Sequence, residues 1–184
     1  MGTDHQIIPK GVFPVEFLEL AKSRYSVRKF DARPVEEEVL QKILEAGRVA
    51  PTAKNMQPQK IYVLESPEAI AAIREITTMA FDAPMVLVLC GNPGAGWVNP
   101  FNNRSSCEMD CSIVLTHMML EAADLGLGTT WVGWFDTAAV KERFGIPAEE
   151  EVYALLPLGY PAENCRPARI HEVRKELAET VVRK

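Results

Sequence analysis

The sequence predicts a central β-sheet covered by helices on both faces. Three observations carry that expectation. Strand-like and helix-like segments alternate along the chain. The segment 85–90 (MVLVLC) is apolar at every position, the pattern of a strand buried on both sides. The segment 108–125 is apolar almost all round, which suits a helix inside a core or against a large interface.

Taken in order, the segment 14–23 (PVEFLELAKS) reads as a helix, with Pro14 in its first turn, where a missing N–H costs nothing. The segment 35–49 is an amphipathic helix. Val35, Val39, Ile43 and Ala46 fall on one stripe, and Leu40 and Leu44 lie beside it. Pro34 stands at its start and Pro51 prevents its continuation. Residues 60–64 read as a strand, 67–76 as a helix and 85–90 as a second strand after Pro84. A loop from 91 to about 106 leads into the helix 108–125, for which Gly126 is a fitting C-terminal cap. Residues 129–135 form the third expected strand. Asp136 is the expected N-cap of a helix over 137–144, and 151–158 is the fourth strand. Beyond Pro161 the chain turns polar and ends in a charged tail. One domain is expected over residues 1–184, with 1–12 and about 162–184 as extensions.

The bulk composition sets limits. The chain has 184 residues, 47% hydrophobic and 24% charged, enough for a core without disulfide support. The net charge of −5 argues against nucleic acid or an anionic membrane as the main partner, because phosphate binding needs a basic face. The first ten residues lack a basic run followed by an apolar one. The expected location is therefore the cytoplasm, with Cys90, Cys107, Cys111 and Cys165 as reduced thiols.

No nucleophile–base set stands out. His117, inside the apolar helix, reads as a core histidine with one hydrogen bond. Cys107 and Cys111 share a helix face, but a metal site needs three or four ligands, so no metal is expected. The glycines of 91–96 follow a strand, yet their order is G-x-x-G-x-G and no helix opens after them, so a surface or lid loop is the better reading than a dinucleotide site. The run Arg24-Tyr25-Ser26-Val27-Arg28 is more informative. In an extended segment Arg24, Ser26 and Arg28 point one way. Arginine's planar fork suits phosphate and ring carbonyls, so the run can be an anion site. Equally, it can be a helix end whose cations complement the dipole.

The run does not stand alone. Arg24-x-Ser26-x-Arg28-x-Phe30 is followed by the amphipathic helix and by Ala50-Pro51-Thr52-Ala53-Lys54-Asn55-Met56-Gln57-Pro58. Asp110 opens the apolar helix, which leads to Leu125-Gly126-Leu127-Gly128-Thr129-Thr130-Trp131-Val132-Gly133-Trp134-Phe135-Asp136. Leu156-Pro157-Leu158-Gly159-Tyr160-Pro161 and then Arg169 close the series. In order and spacing this closely resembles the nitroreductase family, from about Glu16 to Val173.

The resemblance implies an α+β nitroreductase-like fold, with a central mixed β-sheet flanked by helices on both faces, in an intertwined homodimer that binds FMN at the subunit interface. It implies that Arg24 and Ser26 hold the phosphate and ribityl chain, and that Arg28 lies near flavin N1 and the C2 carbonyl. Pro51, Thr52, Ala53 and Asn55 match a loop that reaches the flavin from the partner subunit, and Gln57 matches a residue near the pyrimidine edge. Gly133 and Trp134 match the turn whose backbone N–H faces N5. Arg169 matches a C-terminal arginine on the phosphate, and the C-terminal extension is expected to pack on the partner. Two departures concern local packing and charge. Gln59 stands where many members have tryptophan, and Pro167 stands where a second basic residue is common, with Arg166 as its substitute. The implied activity is passage of hydride from NAD(P)H through flavin N5 to a nitroaromatic or quinone-like acceptor, in a ping-pong cycle. Alternatives are a flavoenzyme of the same family with another task, such as dehalogenation, ene reduction or flavin breakdown, and a flavin-binding module without useful turnover. A flavin carries its own chemistry, which accounts for the absence of an acid–base pair.

Overall fold

The computed structural model describes residues 16–184. Pro14 and the extension 1–12 lie outside the described residues. The first helix, α1 (Phe17–Ser23), is short, and α2 (Glu37–Arg48) buries Leu40 and Ile43 from its apolar stripe. Then follow β1 (Gln59–Leu64), α3 (Pro67–Ile76), β2 (Met85–Gly91), the long α4 (Cys107–Asp124), β3 (Gly128–Thr129), α5 (Thr137–Phe144), β4 (Glu151–Gly159) and a last turn of helix, α6 (Leu177–Thr180). The capping signals work as their chemistry predicts: Ser66 Oγ accepts from Ala69 N–H, and the Asp136 carboxylate accepts from Ala138 and Ala139.

The sheet runs in the order β1-β2-β4-β3, and every ladder between named strands is antiparallel. Its parallel component is a single bridge, Ser26 to Thr129. The all-apolar β2 is covered on both sides, as its sequence predicts. Met85, Leu87 and Leu89 face a cluster built with α2 and α4, while Val86, Val88 and Cys90 face a second cluster with α3 and α5. Burying each such side chain contributes roughly 1.5–3 kcal/mol. A bulge opposite Leu89 and Cys90 makes Tyr153 the extra residue of β4, so Tyr153 and Ala154 both lie on the α2–α4 side while Val152 returns to the other.

The expected strand 129–135 is mostly lost. Only Gly128 and Thr129 pair with β4, and Val132 makes an isolated bridge to Leu155. The reason is Pro157. Thr130 N–H reaches the Pro157 carbonyl at 3.4 Å, but proline has no N–H to return, and the ladder breaks there.

Helix α4 buries Cys111, Val114, Leu115, Met118 and Ala122, yet leaves Met109 and Ile113 exposed. Between α1, α2 and α4 lies an open apolar groove of about 1010 Å³. His117 is on its wall, half-buried rather than in the core; its Nδ1–H donates to the Ile113 carbonyl one turn back. A helix apolar all round can serve a core on one side and a surface groove on the other, and composition does not distinguish these. Cys107 and Cys111 point toward Gly91 and are free, buried thiols. Burial pushes the Cys111 thiol far up and the Cys90 thiol to about 12. No helix among the described residues is long and apolar enough to cross a membrane.

Candidate functional site

The residues singled out by sequence fall into three groups, each held by a different part of the fold. The first is the run 24–28. Helix α1 ends at Arg24, whose backbone is extended and whose N–H donates to the Leu20 carbonyl. Val27 is buried against Gly128, where a methyl group would lie 2.4 Å from Val27 Cγ2. Val27 N–H donates to the Thr129 carbonyl at 3.0 Å, and Thr130 Oγ1 donates to the Val27 carbonyl. With Val27 turned inward, the alternation of an extended chain puts Arg24, Ser26 and Arg28 on the opposite side.

Arg24 is half-buried, and its Nη1 is buried without a hydrogen-bond partner among the described residues. Its pKa is lowered, first by burial and then by the positive charge of Arg174. No ion pair among the described residues involves Arg24, Arg28, Arg169 or Arg174. A buried donor without a partner is costly, and a second cation beside it adds to the cost. The helix-dipole reading of the motif accounts for none of this; the paired last-turn cation of α1 is Lys22, bonded to Glu19. Arg174 Nη1 already donates to the His171 and Val173 carbonyls, so an anion at this point would give Arg24 Nη1 its acceptor and offset the charge of both cations.

The second group is the loop 51–58. Pro51 is exposed, and Thr52 is extended and enters a 3₁₀ turn, Ala53–Asn55. Lys54, Asn55 and Gln57 all adopt positive φ, at 51°, 55° and 49°. Gln57 N–H donates to Thr52 Oγ1 at 3.1 Å and its side-chain amide to the Asn55 carbonyl at 3.2 Å. Ala53 N–H donates to Asp110 Oδ1 at 2.9 Å. Just beyond the loop, Gln59 Oε1 is buried without a partner among the described residues. No hydrogen bond among the described residues joins this loop to the run 24–28.

The third group is the turn at Gly133 and Trp134. Both residues are exposed, Trp134 by 80%, and a Cβ at Gly133 would meet nothing within 4 Å. Thr77, at the end of α3, donates from Oγ1 to the Trp134 carbonyl at 2.8 Å and fixes that face of the turn.

Comparison with known proteins follows the same blocks. The Nitroreductase family model matches residues 21–84 and 74–160, most of the chain. The chain belongs to the nitroreductase family. A relative from Methanothermobacter thermautotrophicus, named as an NADH dehydrogenase/NAD(P)H nitroreductase, is 32% identical over 160 residues, covering 83% of this chain and 81% of its own. The crystal structure of a nitroreductase family protein from Clostridium difficile 630 is 37% identical, with a TM-score of 0.84 over 90% of this chain and 96% of that one. A protein of Exiguobacterium sibiricum, solved in complex with FMN, shares the fold at 21% identity and a TM-score of 0.78, over 92% of this chain and 97% of that one.

In this chain the C-terminal segment folds back toward Arg24. His171 Nε2–H donates to the Lys22 carbonyl at 3.2 Å, and its ring meets Tyr25 edge-on. Arg169 is exposed, and Arg166 spends its Nη1 on the carbonyls of Glu163 and Cys165. The cation whose charge reaches Arg24 is Arg174, which the sequence reading passed over. No local pattern marks it, because its importance comes from the path of the tail. Thr77 and the anchoring role of Asp110 were likewise missed, since their partners lie 57 residues away in each case.

Proposed function

We propose that the chain is an FMN-dependent oxidoreductase that takes hydride from NAD(P)H and delivers it to a nitroaromatic or quinone-like acceptor, as a cytoplasmic homodimer. The observation that carries this reading is the buried Nη1 of Arg24, without a hydrogen-bond partner among the described residues, at the head of the R-x-S-x-R run and under the positive charge of Arg174. A phosphate dianion supplies the acceptor that Arg24 Nη1 lacks and the negative charge that offsets both cations. The relative's name and the FMN bound by the Exiguobacterium protein support that choice of anion and donor.

When bound, the flavin supplies the hydride chemistry. The chain's residues bind and orient it. Arg24 and Arg174 would hold the phosphate with Ser26 beside them, and Arg169 would add an outer positive charge. Arg28, exposed on the same side of the run, would lie along the flavin's pyrimidine and favour its reduced, anionic form. The turn at Gly133 and Trp134 would offer its backbone amide to the ring. Pro51, Thr52, Ala53, Asn55 and Gln57 would reach the flavin of a second subunit, in keeping with the lack of any hydrogen bond between that loop and the run in one chain.

The homodimer rests on exposed apolar surface. The groove is lined by Phe17, Leu20, Ala46, Val49 and Leu120, and the tail exposes Val173, Leu177 and Val182. Surface of this kind, beside a nearly all-apolar helix, suits an obligate partner. Analytical ultracentrifugation at micromolar concentration is expected to show a dimer; a folded, flavin-loaded monomer would reject it.

Purified protein is expected to be yellow, to bleach with NADH or NADPH without oxygen, and to regain colour with a nitroaromatic or a quinone. Parallel lines in double-reciprocal plots would support two separate half-reactions. Protein that takes up no FMN would overturn the reading, and bound flavin that neither nicotinamide reduces would point to a binding module instead.

A further inference from the structure

We propose that Asp110 is a positioning residue: its buried carboxylate holds the loop 52–57 in the one shape in which that loop can meet the flavin. The proposal rests on the reading that this loop reaches the flavin. It starts from the loop's backbone. Lys54, Asn55 and Gln57 are all left-handed, a conformation that L-residues adopt at a cost. Three such residues within four positions persist only where the surroundings fix them.

Most of the fixing bonds are internal to the loop. Asn55 N–H donates to the Thr52 carbonyl, Met56 N–H to the Ala53 carbonyl, and Gln57 N–H to Thr52 Oγ1. These bonds shape the loop but do not tie it to the body of the protein. At its exit the Pro58 carbonyl accepts from Asn92 N–H at 3.0 Å. At its centre the tie is the bond from Ala53 N–H to Asp110 Oδ1.

That carboxylate is itself locked. Asp110 is 3% exposed, and its Oδ2 accepts from Ser106 Oγ–H at 2.7 Å. Ser106 is buried too, with its own N–H on the Trp97 carbonyl. Asp110 also lies near the N-terminal end of the 18-residue helix α4, where the helix dipole favours a negative charge. Two oxygens therefore have two fixed donors, one at the N-cap of the helix and one on the loop. Any turning of the carboxylate would shift Ala53, and with it the strained residues that follow.

The variants separate geometry from charge. Asp110→Asn keeps an oxygen for Ala53 N–H and turns its NH₂ to Ser106 Oγ, so the tie survives without the charge. Asp110→Ala removes the tie. The full-length protein is followed by residue-resolved amide exchange and by FMN titration with visible circular dichroism of the bound flavin. Losing a charge-assisted hydrogen bond predicts exchange of the Ala53 amide about tenfold or more faster in Asp110→Ala, and FMN binding weaker by a similar factor. Amides in the middle of α4 should keep their protection, and Asp110→Asn should stay within about threefold of wild type in both measurements. Ser106→Ala should fall between, with a changed flavin dichroism. A folded Asp110→Ala with wild-type Ala53 exchange, or an Asp110→Asn as impaired as Asp110→Ala, would overturn the proposal. Wild-type protein that takes up no FMN would instead overturn the functional reading, and the exchange measurement would still judge the anchor.

Discussion

The run 24–28 and the loop 52–57 carry most of the proposed flavin contacts, yet the fold holds them in opposite ways. The run borrows the sheet. Its backbone pairs with Thr129 and Thr130, Val27 fills the space that Gly128 leaves, and its side chains are free to face a ligand. The loop has no strand to lean on. It depends on its own turn, on left-handed residues and on one buried carboxylate. The first arrangement leaves the backbone satisfied and a cation unsatisfied; the second satisfies the polar groups and leaves the backbone strained. In both, the unfavourable feature lies where a ligand is proposed to bind.

The largest effect should come from the run's unsatisfied cation. Arg24→Ala removes a charge-assisted bond to phosphate worth about 1.5–3 kcal/mol, so FMN should bind roughly 10- to 150-fold more weakly. Riboflavin, which lacks the phosphate, should be affected little, and thermal stability should hold or rise because an unpartnered buried donor is gone. Calorimetric titration with both ligands checks this; equal losses would remove the phosphate assignment. Arg174→Ala should follow Arg24→Ala more closely than Arg169→Ala does, given which cation acts on Arg24.

Arg28 tests whether the same run also tunes the flavin. Arg28→Gln keeps length and a donor but loses the charge. Because Arg28 is exposed, the screened loss should be about 1 kcal/mol, lowering the two-electron midpoint potential by roughly 20 mV. A spectroelectrochemical titration that finds the potential unchanged, with FMN fully bound, would leave Arg28 as a surface residue.

The loop's strain predicts a smaller effect of opposite sign. Lys54→Gly relieves a left-handed conformation at the cost of unfolded-chain entropy, and should raise stability by up to ~1 kcal/mol. Urea unfolding of the purified protein measures it. A clear loss would mean that contacts of the Lys54 side chain outweigh the strain of its backbone.

The smallest effect concerns the far end of the run, where Asp31 N–H donates to the Tyr160 carbonyl. There the Tyr160 hydroxyl donates to Glu36 at 2.6 Å, and Arg33 bonds the same carboxylate and stacks 3.9 Å from the Tyr160 ring centre. Hydrogen bonds from Tyr160 and then Arg33 pull the Glu36 carboxyl down to about 2. Its folded value lies below its unfolded value, so its stabilisation is present above the unfolded value near 4.5 and is lost as pH falls toward 2. Tyr160→Phe should flatten that dependence between pH 5 and 2 in thermal unfolding, by a small amount because the carboxylate is exposed. An unchanged profile would show that the cluster does not help to hold the run.

The sequence by itself determined the parts that rest on local chemistry. The apolar run 85–90 specified a strand covered on both faces, the stripe of Leu40 and Ile43 specified α2, and Asp136 specified the start of α5. The ordered blocks from Arg24 to Tyr160 identified the family, because residue types at fixed spacing survive without knowledge of packing. Only the tertiary structure decided which groups meet. Pro157 ended the strand after Thr129 by withholding an N–H across the sheet, an effect written 28 residues away from the strand it cuts short. His117 came to line a groove because a uniformly apolar helix does not say which side faces the core. Arg174 reached Arg24 through the path of the tail, and Asp110 reached Ala53 through the packing of α4 beneath the loop. Each of these depends on a partner far along the chain, and a hydrogen bond or a buried charge leaves no local pattern when its two halves are specified by separate elements.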